Sequence, residues 1–117
     1  MGKFVVSKKV QDVNVLGFCF NELNLEQREQ LKKELSEQLK TAQTQFIIDL
    51  SKIGFVSSMV VATIVFFSKE VRNNKGTVKL SGLSSEAFSI FKLTQLDKIF
   101  ELYETERDAL ESFKRPL

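Results

Sequence analysis

The spacing of hydrophobic residues changes period several times along the chain, and each change predicts an element. Phe4, Val5 and Val6 head an extended segment, so Lys3 to Val10 reads as a strand. Val13 and Val15 alternate with polar neighbours and run into Leu16-Gly17-Phe18-Cys19-Phe20, a second strand, with Gln11-Asp12 as the hairpin break. Leu31, Leu35 and Leu39 then recur at helical spacing. Asn24 is a strong N-cap, and Gln27 three residues on completes a capping box. Phe46-Ile47-Ile48-Asp49-Leu50 is unbroken enough to predict a strand covered on both faces. Ser57 to Asn74 reads as a second helix, capped by Ser57, made apolar by Val60, Val61, Ile64, Val65 and Val71, and stopped by Asn73-Asn74-Lys75-Gly76.

Thr77 to Ser81 follows as a strand, making a β-α-β unit that predicts parallel strands and a right-handed crossover. Ser84 or Ser85 caps a shorter helix carrying Ala87, Phe88, Ile90 and Phe91. Phe100 to Tyr103 reads as a short strand, and Thr105 caps a last helix with Ala109, Leu110 and Phe113. The order β-β-α-β-α-β-α-β-α predicts an α/β fold: a mixed, mostly parallel sheet of five strands with four helices packed on it.

Composition narrows what such a fold can do. At 117 residues there is room for one domain, spanning 1–117. Histidine is absent, which removes His-based triads and general bases and most catalytic zinc sites. Seventeen basic against 15 acidic residues give +2, and the signs alternate, so no basic stripe points to nucleic acid. The charges on the Leu31 helix, Glu29 and Lys33 among them, read as a solvated face. Met1 to Ser7 shows no signal-peptide core. The apolar run from Phe55 to Phe67 is too short to span a bilayer, so the expectation is a cytoplasmic protein off the membrane. The single cysteine, Cys19, cannot form an intrachain disulfide, and placed between Phe18 and Phe20 in a strand it reads as a buried, inert side chain.

Candidate chemistry is sparse. Gly82-Leu83-Ser84-Ser85 joins a strand to a helix, a turn that either caps the helix or holds an anion. Asp49 at a strand end, without a second carboxylate or a base at defined spacing, reads as a loop organiser. No catalytic set, metal-ligand cluster or cofactor loop emerges. Phe55-Val56-Ser57-Ser58-Met59 is the most informative stretch. With Ser57 as N-cap, Ser58 falls in the first turn with its hydroxyl near solvent, where the helix dipole tolerates a phosphate. Phe66 and Phe67 are adjacent on one helix and cannot both face the core, so one is expected outside, where it would suit a homodimer or partner surface.

Taken together, the chain resembles the STAS domain family (sulfate transporter and anti-sigma factor antagonist), and within it the small bacterial anti-sigma factor antagonists. Asn21-Glu22-Leu23-Asn24 resembles the family's Gly-Glu-Leu-Asp. Phe46 to Ser51 resembles its strand ending in Asp-Leu-Ser, and Leu93-Thr94-Gln95-Leu96-Asp97-Lys98-Ile99-Phe100 its Leu-Thr-Gly-Leu-Asp-Lys-Ile-Phe, followed by the helix with Glu106, Ala109 and Leu110. Order and spacing together make the resemblance specific. It implies that Ser57-Ser58-Met59-Val60 stands where the family has Asp-Ser-Ser-Gly, with Ser58 on the phosphoacceptor. Ser57 replaces the acid, Met59 the second serine and Val60 the glycine.

The implied function is regulatory and not enzymatic. Unphosphorylated, such a protein binds an anti-sigma factor with serine kinase activity; phosphorylated, it is released, and a phosphatase resets it. The expected docking face comprises Asn24, Phe55, Ser57, Ser58, Met59, Val60, Val61 and Ser84. No cofactor is implied. Two alternatives stay open: a STAS scaffold or accessory module without the phosphoswitch, and a small-ligand-binding STAS module.

Overall fold

In the computed structural model, which describes residues 4–20, 23–41, 43–53 and 55–114, strand β1 (Val5–Val10) turns back through Gln11-Asp12 onto antiparallel β2 (Val13–Phe18). Val10 sits opposite Val13, a two-residue turn that puts Gln11 in the left-handed region at φ 57°. Strands β3 (Gln45–Asp49) and β4 (Thr77–Ser81) add in parallel, giving the sheet order β1-β2-β3-β4. The parallel β-α-β unit is therefore present. Lys3, Asn21 and Glu22, which the sequence placed at a strand start and in a family-like segment, lie outside the described residues.

Four helices pack on this sheet. Helix α1 (Leu25–Leu39) opens on the expected capping box: the Gln27 N–H donates to Asn24 Oδ1 at 2.8 Å and the Asn24 N–H to Gln27 Oε1 at 3.0 Å. Helix α2 (Ser58–Asn73) is capped by Ser57 and α3 (Ser85–Leu93) by Ser84 rather than Ser85. Helix α4 (Glu106–Lys114) starts on Thr105, whose hydroxyl accepts the Asp108 N–H at 3.1 Å.

Side-chain alternation in the strands builds two cores of unequal size. Leu16, Phe18, Phe46, Ile48, Val78 and Leu80 face one way and meet Leu31 and Leu35 of α1, Ile64 and Phe67 of α2, and Phe91 of α3. Val13, Val15 and Ile47 face the other way and meet Ala109 of α4, with Val10, Tyr103, Leu110 and Phe113 around them. Phe46, Ile47 and Ile48 are all buried, as a strand covered on both faces requires.

Three features differ from the sequence expectation, each for a local reason. The fifth strand shrinks to one parallel bridge, Leu102 to Leu80. The segment does run along β4, with the Leu80 N–H donating to the Glu101 carbonyl and the Tyr103 N–H to the Leu80 carbonyl. It is too short for a ladder because it emerges from a 3₁₀ turn at Leu96–Lys98 and must reach the α4 cap at Thr105. Cys19 is exposed, not buried, because β2 ends at Phe18. Glu34, read as part of a solvated face, turns inward: its carboxylate accepts the N–H groups of Phe4 and Val5 at 2.9–3.2 Å and so closes the start of the sheet's edge strand.

Helix α2 ends within the Asn73-Asn74-Lys75-Gly76 stretch expected to stop it. The Gly76 N–H donates to the Val71 carbonyl and the Lys75 N–H to the Arg72 carbonyl, a Schellman arrangement with Lys75, not Gly76, in the left-handed position at φ 63°. Gly76 is needed for space: a Cβ there would run into the Thr44 carbonyl and the Val71 side chain.

Candidate functional site

The carboxyl ends of the three parallel strands and the N-termini of the helices that follow them lie along one edge of the sheet, the usual place for function in an α/β fold. Asp49 ties this edge together. Its Oδ2 accepts the Ser51 hydroxyl at 2.9 Å, and its Oδ1 accepts the Ser51 N–H and the Ser81 hydroxyl, each at 3.3 Å. Gly82, in the left-handed region at φ 72°, closes against the same carboxylate, and a Cβ on it would collide with Asp49 Oδ1 and the Ser51 nitrogen. Asp49 thus organises the loops that launch α2 and α3, in the structural role its isolation in the sequence suggests.

At the start of α2 the two adjacent serines are not equivalent. Ser57 has extended backbone and its hydroxyl oxygen accepts the Val60 N–H at 3.2 Å, so that oxygen is committed to the cap. Ser58, the first helical residue, is exposed. No acidic residue lies in the first turn of α2, whereas Glu26, Glu86 and Glu106 occupy that turn in α1, α3 and α4. A negative group added on Ser58 would meet the positive end of the helix dipole without a neighbouring acid in that turn.

The other expected site residues divide by exposure. Phe55 is 64% exposed, a large apolar side chain in the loop just ahead of the cap, and Asn24 and Ser84 are exposed. Met59 and Val61 are half-buried. Val60 is only 2% exposed and belongs to the major core, so its side chain offers no docking surface. Its β-branch, in the position where the resemblance has glycine, packs into that core. Leu25, 68% exposed, was missed: it sits beside Asn24 at the start of α1 and lies off the Leu31–Leu35–Leu39 stripe, which was the available signal.

Of the paired phenylalanines, Phe67 enters the core and Phe66 is the outer one. The Lys32 ammonium of α1 stands 4.9 Å from the centroid of the Phe66 ring, so that ring is in use within the chain. Ser84 accepts the Ala87 N–H at 3.1 Å, which makes the Gly82–Ser85 turn a capped strand-to-helix connection.

A second polar cluster lies under α4, and sequence pattern gave no sign of it. Lys79 of β4 is buried; its ammonium donates to Ser112 Oγ at 2.8 Å, pairs with Glu101 at 3.3 Å and lies 4.2 Å from the Phe113 ring centroid. The Tyr103 hydroxyl donates to Glu101 Oε1 at 2.6 Å. That hydrogen bond, with the Lys79 contact adding to it, holds the Glu101 carboxyl below its ordinary range against the opposing pull of desolvation. Among the described residues no group of three metal-binding side chains converges, and no helix is long and apolar enough to cross a membrane.

This architecture and edge define a STAS domain. The STAS family model matches residues 6–109, and the chain belongs to that family. It is 28% identical over 109 residues to a candidate anti-sigma factor antagonist from Thermotoga maritima, spanning 92% of this chain and 96% of the relative. It is 24% identical over 95 residues to BtrV of Bordetella bronchiseptica, also a candidate anti-sigma factor antagonist, spanning 81% of this chain and 82% of that one. Among solved structures, that of a candidate anti-sigma factor antagonist from Thermotoga maritima superposes with a TM-score of 0.84 at 27% identity, covering 95% of each chain.

Proposed function

We propose that the protein is a cytoplasmic, non-enzymatic partner switch: an anti-sigma factor antagonist whose α2 edge binds an anti-sigma factor with serine kinase activity and whose Ser58 carries the controlling phosphate. A phosphatase would return it to the binding form. The docking face is Phe55, Ser57, Ser58, Met59 and Val61, flanked by Asn24 and Leu25 on one side and Ser84 on the other; Val60 is left out because it is buried. The observation that carries this reading is the division of labour between the serines, one oxygen committed to the cap and one hydroxyl exposed at the positive helix end. A phosphate there adds about −1.5 to −2 charges without breaking the cap, so it changes the surface while leaving the helix standing. Beside the exposed Phe55, a dianion adds a desolvation penalty to any apolar docking.

The test is a binding titration against the serine-kinase anti-sigma factor of the host. Ser58→Asp is expected to weaken binding at least about tenfold, close to 1.4 kcal/mol, and Ser58→Ala to leave it unchanged. Equal affinity of the two variants would sink the assignment. Half-buried Met59 in place of a second hydroxyl favours one other reading, a constitutive STAS accessory module. Intact-mass spectrometry on protein from its native host separates the two, since a Ser58 that stays unmodified across growth and stress conditions supports the accessory role.

A further inference from the structure

Among the described residues, the one buried polar side-chain atom without a hydrogen-bond partner is the Nε of Arg28, in helix α1. No ion pair joins its guanidinium to another described residue. An N–H shut off from water and left unpaired is costly, and native structures rarely keep one without a use.

The contacts of α1 fix the direction in which Arg28 faces. On one side Glu34 reaches the Phe4 and Val5 N–H groups of the sheet edge. On the other, the Lys32 ammonium reaches the Phe66 ring of α2 at 4.9 Å. Arg28 lies one turn before Lys32 and shares its side. Helices α1 and α2 follow the adjacent parallel strands β2 and β3, so they run side by side in the same direction. Eight residues before Lys32 is the α1 cap, Asn24, and eight before Phe66 is Ser58, so the two helices start nearly level. Helical side chains lean toward the N-terminus, which carries the guanidinium along the seam toward the first turn of α2.

This end of the seam holds cations without acids to match them. The positions that share the Arg28 face of α1 are Asn24, Leu25, Leu31 and Lys32. Glu26 and Glu29, at i−2 and i+1, stand on other faces of the helix. The first turn of α2 has no acid, and the one acid of that helix, Glu70, lies near its far end. Lys32 has no ion-pair partner among the described residues. The positive ends of two helix dipoles add to the same field.

We propose that Arg28 receives the phosphate of Ser58 and ties the start of α2 to the start of α1 in the phosphorylated protein. This assignment rests on Ser58 being the phosphoacceptor and adds what the chain does with the new charge. A guanidinium offers a phosphate paired N–H donors in a fixed fork, including the Nε–H that is otherwise unused. The clamp draws the dianion onto the seam that the docking face straddles, between Asn24 and Leu25 on α1 and Ser57 to Val61 on α2.

The test uses full-length protein with phosphoserine installed at position 58 during synthesis, so no kinase or partner is involved. Its phosphorus NMR signal is followed against pH, the ordinary second pKa being about 6. A paired guanidinium favours the dianion, so the wild-type midpoint is expected at least about half a pH unit below that of Arg28→Gln, roughly a threefold change in proton affinity. Lys33→Gln removes an equal charge from an exposed position and is expected to leave the wild-type midpoint in place. In the wild type the Arg28 Nε–H resonance is expected to move with the same midpoint as the phosphate, a readout that needs no variant. Equal midpoints in wild type and Arg28→Gln, an equal shift in Lys33→Gln, or an Arg28 resonance that ignores the titration would each overturn the clamp. If Arg28→Gln leaves the midpoint in place but weakens binding of the unphosphorylated protein to the anti-sigma factor, the guanidinium meets a carboxylate of the partner instead. None of these outcomes depends on whether the host modifies Ser58, which the intact-mass measurement decides separately.

Discussion

Ile47 and Ile48 are neighbours in β3, both fully buried, and they point into opposite halves of the molecule. Ile48 enters a core built from three helices, where Phe46 and Phe67 meet edge to face at 5.3 Å and Phe91 meets Phe100 at 6.4 Å. Ile47 enters a thin layer under one nine-residue helix, where Lys79 and its partners occupy a position that an apolar side chain would fill on the other face. The major face contains what a single stable domain needs, and α2, which carries Ser58, is part of it. The minor face is held by fewer apolar contacts and by polar bonds that are specific in geometry but modest in net stabilisation. The difference teaches where change is tolerated: the signalling helix rests on the rigid half, and α4 on the looser one.

The largest test exchanges these two isoleucines. Ile48→Ala is expected to cost about 4 kcal/mol, because three helices cannot collapse into the space, and Ile47→Ala about 2 kcal/mol, because α4 can settle. Urea unfolding measures both, and equal losses would mean that α4 packs as rigidly as the other helices. Next is Glu34, the strap between α1 and β1. Glu34→Ala leaves the Phe4 and Val5 N–H groups without their acceptor and is expected to cost about 1–2 kcal/mol, with Glu34→Gln retaining part of it.

A gain is expected at the strained backbone positions of the major half. Lys75 and Gln95 both hold left-handed conformations, at φ 63° and 61°. Lys75→Gly and Gln95→Gly should each raise stability by up to about 1 kcal/mol, seen as a higher melting temperature. No gain in either variant would show that the side chains compensate for the strain. The smallest effect belongs to the minor face. Glu101 has a lowered folded-state pKa, so its contribution is present above the ordinary carboxylate value of 4.5 and is lost as pH falls through the lower folded value. Comparing melting at pH 7 and pH 3, the wild type should lose slightly more than Glu101→Gln, by a few tenths of a kcal/mol for so exposed a carboxylate. A larger loss in the variant would reverse the sign of that linkage.

Gln95 shows how much of this was legible beforehand. The segment resembles one with glycine at that position, and the structure supplies the reason: the turn between α3 and the 3₁₀ helix needs a positive φ, which glutamine adopts under strain. The site divides the same way. That Ser57 caps and Ser58 follows it was readable from serine next to an apolar helix, whereas the burial of Val60 and the exposure of Leu25 depend on how far each helix is rotated against the sheet.

Sequence by itself determined what depends on neighbours a few residues away. The capping box and the serine caps, the helical stripe of Leu31 and Leu35, the Val10–Val13 turn and the doubly buried β3 all follow from spacing and short-range hydrogen bonds. Only the tertiary structure decided that Glu34 closes β1 from 30 residues away and that Lys79 is buried against Ser112 from 33 residues away. It also decided that Cys19 faces solvent. Local pattern sets which face of an element is apolar. What stands opposite that face, and how much of it is covered, is set by which distant elements pack there and by how long they are, so that a nine-residue α4 leaves part of the sheet bare.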